Sequence, residues 1–202
     1  MDIKPSDALI VVDVQNDFCA GGALAVPGAD EIIAGINALM PGFASVVLTQ
    51  DWHPAEHSSF AIGPHEGLAF TSVEMPYGPQ TLWPPHCIAG EPGAAFRAGL
   101  AVDVAHLVIR KGYQAAIDSY SAFTENDRVT RTGLDGYLRA RGVTRVVLVG
   151  LALDYCVGWS ALDARAAGFD TIVLRDLCRG IAEATGVDMV ARLQAAGVEV
   201  RG

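Results

Sequence analysis

The sequence predicts a three-layer α/β fold: a doubly wound, mostly parallel six-stranded sheet with helices on both faces. Three observations carry that expectation. Short unbroken apolar runs such as Val146 to Val149 read as strands buried on both faces. Helical patterns alternate with those runs along most of the chain. Polar and reactive residues stand immediately after the apolar runs, where the carboxyl ends of parallel strands form a ligand crevice.

Taken in order, Ala8 to Val14 is the first strand, with Asp13 near its carboxyl end. Gly21-Gly22 marks a loop and Pro27-Gly28 a turn, and Asp30 opens a helical pattern carried by Ile32, Ile33, Ile36 and Leu39. Ser45 to Thr49 is the second strand and runs into Gln50-Asp51-Trp52-His53-Pro54. From Asp51 to about Gly99 the chain is rich in Gly, Pro and His with little periodicity. So long an irregular segment is expected to fold over the strand ends as a lid or wall. Leu107 to Ile109 is the third strand, with Lys111 behind it, and Leu134 to Arg141 a short helix closed by Gly142. The fourth strand is broken by Gly150, and a helix with Val157, Ala161, Leu162 and Ala164 follows. Asp170 to Leu174 is the fifth strand, Gly186 to Ala196 a helix, and Val198 to Val200 a last edge strand. No repeat or linker interrupts residues 1 to 202, so one domain is expected.

Composition narrows the function. The 202 residues carry a formal net charge of −9, a balance that disfavours nucleic acid and anionic membrane as partners. No apolar run approaches the roughly eighteen residues of a membrane span, and no signal-peptide core follows the N-terminus. The four cysteines, Cys19, Cys87, Cys156 and Cys178, form no C-x-x-C pair. Free thiols and a cytoplasmic location are expected. The first strand leads into V-Q-N-D-F rather than a glycine-rich phosphate loop, and no G-x-S-x-G surrounds the candidate nucleophile.

Two constellations carry chemistry. Cys156 falls where a strand has ended and a helix begins, a place for either a buried core residue or a reactive thiol. Asp13 and Lys111 stand at two other strand ends, and alone either reads as half of a structural ion pair. Together the three match a nucleophile, a proton carrier and a cation that stabilises both anions and lowers the thiol pKa. In the second constellation, Asp51 and His53 sit two apart in extended chain and face one side, with His86 later. One carboxylate and two imidazoles suit a divalent ion, zinc, iron or manganese. His57, His65, Ser58 and Ser59 are possible further ligands, whereas Cys87 beside His86 points the other way and reads as packing. Phe18, Trp83, Tyr120 and Tyr155 lie beside these residues and suggest walls for a flat ring, while Trp52 reads as loop packing.

The motifs V-V-D-V-Q-N-D-F, Q-D-W-H-P with H-S-S-F, L-W-P-P-H-C, K-G with D-S-Y-S-A-F, and V-G-L-A-L-D-Y-C-V occur in this order over nearly the whole chain. The set resembles the nicotinamidases of the isochorismatase-like cysteine hydrolases. The resemblance implies hydrolysis of nicotinamide to nicotinate and ammonia in NAD salvage, with pyrazinamide as a further substrate. It implies Asp13 as proton shuttle, Lys111 as its electrostatic partner and Cys156 as nucleophile. Asp51, His53 and His86 would hold one divalent metal, and the fourth protein ligand stays open because relatives differ there. The backbone N–H groups of Ala152 and Cys156 would form the oxyanion hole, with Leu151-Ala152 matching a position where relatives carry a cis peptide. Two other readings remain: another amidase of the same superfamily, such as a carbamoyl-amide hydrolase, and a non-catalytic ligand-binding relative.

Overall fold

A computed structural model describes residues 2–202. Six strands form one parallel sheet: β1 (Asp7–Val12), β2 (Ser45–Asp51), β5 (Leu107–Lys111), β6 (Arg145–Leu151), β7 (Asp170–Arg179) and β8 (Glu199–Arg201). Their spatial order is β5-β2-β1-β6-β7-β8, and every neighbouring pair runs parallel. The chain moves outward from β1 through β2 to β5, then returns to the other side of β1 for β6. That reversal makes the carboxyl ends of β1 and β6 the switch point where a doubly wound sheet opens a crevice. Strand β1 is buried along its whole length, which explains its unbroken apolar sequence.

The two faces are covered differently. Ala8, Ile10, Val12, Val146 and Leu148 pack against three helices, α2 (Leu134–Ala140), α3 (Gly158–Ala166) and α4 (Glu183–Ala195). Leu9, Val11, Val147 and Val149 point the other way, toward α1 (Ile33–Leu39). That second layer is completed by irregular chain carrying Phe18, Trp83, Cys87 and Leu100. The segment expected to be a wall is therefore half of a core layer. It also holds an element its sequence does not announce, a hairpin of β3 (Ser72–Met75) and β4 (Gly78–Thr81). Four-residue strands with Pro79 in one of them give no alternation long enough to read.

Other boundaries moved for identifiable reasons. Strand β7 runs five residues past Leu174, because a register shift between Leu148 and Gly150 lets Cys178 and Arg179 pair with Gly150 and Leu151. Gly150 lies inside β6 rather than ending it, with φ +114° and an ideal Cβ position only 2.2 Å from the Val12 carbonyl oxygen. Only glycine fits so close to the neighbouring backbone. Helix α4 begins at Glu183, three residues before Gly186, and the chain that enters it is fastened from another element. The Asp154 carboxylate accepts hydrogen bonds from the N–H groups of Ile181 and Ala182 at 3.0 and 3.1 Å and from the Thr185 hydroxyl at 2.6 Å.

Candidate active site

The site is built at the carboxyl ends of four adjacent strands. Asp13 follows β1 with φ +47°, an uncommon backbone for a non-glycine residue that turns its side chain back over the sheet. Its N–H donates to the Thr49 hydroxyl oxygen at 3.1 Å, and that hydroxyl donates to Oδ1 at 2.5 Å. Asp51 and Lys111 end β2 and β5, where the register pairs them directly. Cys156 lies in the π-turn Leu153–Val157 that joins β6 to α3.

Lys111 is the junction of these residues. Its fully buried ammonium lies 2.8 Å from Asp13 Oδ2 and pairs closely with Asp51 Oδ1. It donates to the Ser119 carbonyl at 2.9 Å and to Cys156 Sγ at 3.3 Å. Asp13 Oδ2 faces the ammonium without an aligned hydrogen bond, which leaves it a lone pair for a further proton.

The electrostatics follow from burial. Burial works against the Lys111 charge, but Asp13 and Asp51 outweigh it and hold the ammonium well above the ordinary lysine range. Burial likewise pushes Asp13 up; Lys111 opposes that rise and Asp51 adds to it, leaving a net upward shift. Asp51 ends below the usual carboxylate range because Lys111, His53 and His86 overcome its burial. The Cys156 thiol departs from the sequence expectation. Lys111 does lower it, but burial and the charges of Asp13 and Asp51 raise it more, so its pKa stands well above that of a free thiol. Burial therefore favours the protonated thiol, with the Asp13 carboxylate, itself shifted upward, among the groups that act on it.

The second constellation is assembled on the other side of Asp51. Its Oδ2 lies 3.7 Å from His53 Nε2 and 3.9 Å from His86 Nε2. The opposite ring nitrogens are each engaged by a backbone carbonyl: His53 Nδ1 with Gly112 at 2.8 Å and His86 Nδ1 with Pro84 at 2.8 Å. With those protons on Nδ1, both Nε2 lone pairs face the Asp51 carboxylate, the arrangement in which a carbonyl holds the far nitrogen of a metal-binding histidine. Burial and the nearby His53 press His86 down to about 4, so it is neutral as a ligand must be. Burial opposes a charge on His53, yet Asp51 raises it overall, a field that favours positive charge beside the ring. These three donors fit a divalent ion.

The further candidates separate. His57 sits behind His53, with ring centroids 4.3 Å apart, and its nitrogens meet Ser59 Oγ at 2.7 Å and the Ile117 carbonyl at 3.2 Å. The Ser58 hydroxyl is buried without a partner, and His65 belongs to no donor cluster among the described residues. Cys87 is fully buried and packs, and Trp52 lies beneath the Arg110 guanidinium at 3.7 Å.

A small cavity opens onto the sulfur. Phe18, Trp83, Tyr120 and Tyr155 all line it, as do Asp51, His86, Ala152 and Cys156. Tyr155 meets the Trp83 ring edge-on at 4.8 Å, and Tyr120 meets Tyr155 at 5.3 Å. The Leu151-Ala152 peptide is cis. Leu24, Asp118 and Ile181 also line the cavity and were not singled out from sequence. Asp118 had a signal, since it stands in the D-S-Y-S-A-F motif. Ile181 had none, because it arrives on a loop more than twenty residues beyond Cys156.

The isochorismatase domain model matches residues 7–202. The chain belongs to the isochorismatase family. A nicotinamidase of Acinetobacter baylyi is 50% identical over 193 residues, covering 96% of this chain and 87% of that one. Among solved structures, a nicotinamidase and pyrazinamidase of Acinetobacter baumanii is 48% identical with a TM-score of 0.95, covering 99% of this chain and 97% of that one. The pyrazinamidase of Pyrococcus horikoshii in complex with zinc is 35% identical with a TM-score of 0.79, covering 97% and 98%. With a nicotinamidase at 50% identity over nearly the whole chain, this chain is an amidohydrolase, and its Asp51, His53 and His86 donors suit a divalent metal.

Proposed function

We propose that this protein hydrolyses nicotinamide to nicotinate and ammonia, returning the ring to pyridine nucleotide synthesis, and that it also accepts pyrazinamide. The observation that carries the reading is the meeting of Asp13, Lys111 and Cys156 at one end of an aromatic-walled cavity, with Asp51 and His86 at its edge. The curated and structural relatives named as nicotinamidases and pyrazinamidases support the substrate class. A carbamoyl-amide hydrolase of the same superfamily is disfavoured by the Asp51, His53 and His86 donor set.

In the reaction Asp13 takes the Cys156 proton as the sulfur attacks the carboxamide carbon, and Lys111 stabilises the thiolate as it forms. The developing oxyanion is held by the N–H groups of Ala152 and Cys156. Asp13 then gives its proton to the leaving nitrogen, and ammonia departs from a Cys156 thioester. Water attacks that thioester with Asp13 again as base, releasing nicotinate and restoring the thiol. Phe18, Trp83, Tyr120 and Tyr155 hold the ring flat and exclude bulk water. Asp51, His53 and His86 would hold zinc, iron or manganese, which supplies a Lewis-acidic anchor beside the ring; zinc is favoured by the Pyrococcus horikoshii relative.

We read residues 1–202 as one functional domain acting on a small molecule, since Asp51 at the end of β2 and residues from the loops after β1, β4, β5, β6 and β7 line one cavity. Four free cysteines suit a reducing cytoplasm, and the net charge of −9 disfavours nucleic acid or anionic lipid as a partner. No helix among the described residues is long and apolar enough to cross a membrane. The test is ammonia release from nicotinamide and pyrazinamide by purified protein, with elemental analysis of the same sample. Turnover together with one divalent metal per chain is the expected result. An inactive metal-loaded protein would overturn the reading.

A further inference from the structure

The cavity over Cys156 measures about 20 Å³, room for little more than one water. The opening is tight for a pyridine carboxamide, so a lining residue with room to shift bears on which rings can enter. Part of the lining is anchored: Cys156 and Ala152 belong to the turn after β6, while Asp51 and His86 belong to the donor cluster. Ile181 differs from these. It also borders a surface groove of about 750 Å³, shared with Leu153, Ala182 and Val187, which gives it open space beside the cavity.

Ile181 is not held by its own strand or helix. It lies between β7 and α4, and its N–H donates to Asp154 Oδ1 at 3.0 Å while the next N–H donates to Oδ2. Asp154 is itself 4% exposed and stands in the turn that presents Tyr155 and Cys156 to the same cavity. One buried carboxylate therefore clips the movable wall to the turn that carries the nucleophile.

Resting on the nicotinamidase reading, we infer that Ile181 is the yielding wall that sets how large a ring substituent the enzyme accepts, and that Asp154 is the positioning residue that sets where this wall stands. The carboxylate is suited to this because both oxygens accept; an asparagine would turn an NH2 group toward one of the backbone donors. The third bond to Asp154, from the Thr185 hydroxyl, secures α4 without touching Ile181 and supplies an internal control.

The experiment compares kcat/KM for nicotinamide and for ring-methylated nicotinamides in the metal-loaded wild type and in Ile181→Ala, Ile181→Val, Asp154→Asn and Thr185→Val, with Tm measured for each. Ile181→Ala is expected to shift the ratio toward the methylated substrates by about tenfold, the discrimination one methyl gives in an apolar pocket. Asp154→Asn is expected to shift it the same way, and the two changes together to add little. Thr185→Val is expected to lower Tm and leave the ratio unchanged. The inference is overturned if Ile181→Ala and Ile181→Val keep the wild-type ratio, or if Thr185→Val moves it as far as Asp154→Asn does. A wild type that releases no ammonia from nicotinamide removes the underlying functional reading, a result distinct from an unchanged ratio in an active enzyme.

Discussion

Replacing Lys111 with methionine keeps the length of the side chain and removes the one cation that joins both carboxylates to the sulfur. At 3.3 Å from Sγ, a full positive charge attracts a thiolate by about 5 kcal/mol at an effective dielectric constant of about 20. Part of this is offset by holding a charge away from water, which leaves about 4 kcal/mol, or roughly a thousandfold in rate. Asp13 loses its 2.8 Å partner as well, so it more often already holds a proton and is less available to take that of the thiol. Both effects act in the same direction. In the metal-loaded Lys111→Met protein, kcat for ammonia release is expected to fall about a thousandfold. Alkylation of Cys156 by iodoacetamide, mapped by mass spectrometry, should slow in parallel, with the near-ultraviolet circular dichroism retained. A folded variant whose kcat stays within about tenfold of wild type would refute the assignment of Lys111 as the electrostatic partner of the sulfur.

Two further perturbations test separate parts of the site. Gly112 has φ +64°, and a Cβ there would fall 2.4 Å from His53 Cε1 and 2.7 Å from Nδ1. Gly112→Ala should push the imidazole off its carbonyl and lower bound metal and activity together; full metal occupancy by elemental analysis would contradict that. Glu125 is buried, and burial pushes its carboxyl up to about 7, above its ordinary value of 4.5. A raised folded pKa stabilises the native state at low pH and loses that contribution as pH rises through about 7. Urea midpoints of wild type should therefore fall between pH 4.5 and 7 relative to Glu125→Gln, whereas parallel pH profiles would show that Glu125 does not titrate there.

Much of this arrangement was legible from residue order because the chemistry sits at strand ends. Asp13, Asp51, Lys111 and Cys156 each follow an apolar run, and parallel strands bring such positions to one edge whatever their separation in sequence. The D-x-H spacing likewise placed two donors on one side of extended chain. What escaped depended on contacts between distant elements. The chain entering α4 is fastened by the Asp154 carboxylate, and Ile181 lines the cavity from that same loop. The hairpin at Ser72–Met75 and Gly78–Thr81 is fastened by Gln80, whose amide donates to Asp118 at 2.7 Å and to the Tyr120 hydroxyl at 3.0 Å. The net direction of the thiol pKa escaped for a similar reason. Sequence named the lysine that lowers it but not the depth of burial, nor that Asp51 would add a second negative charge to the cluster.

The sulfur is where the account can be tested most directly. Ammonia release from nicotinamide is to be measured for metal-loaded wild type and Cys156→Ala side by side, with nicotinamide binding followed by calorimetry in the variant. Turnover by the wild type, none by the variant, and retained binding in the variant is the predicted pattern. Hydrolysis by Cys156→Ala at the wild-type rate would contradict it and move the chemistry away from the cysteine.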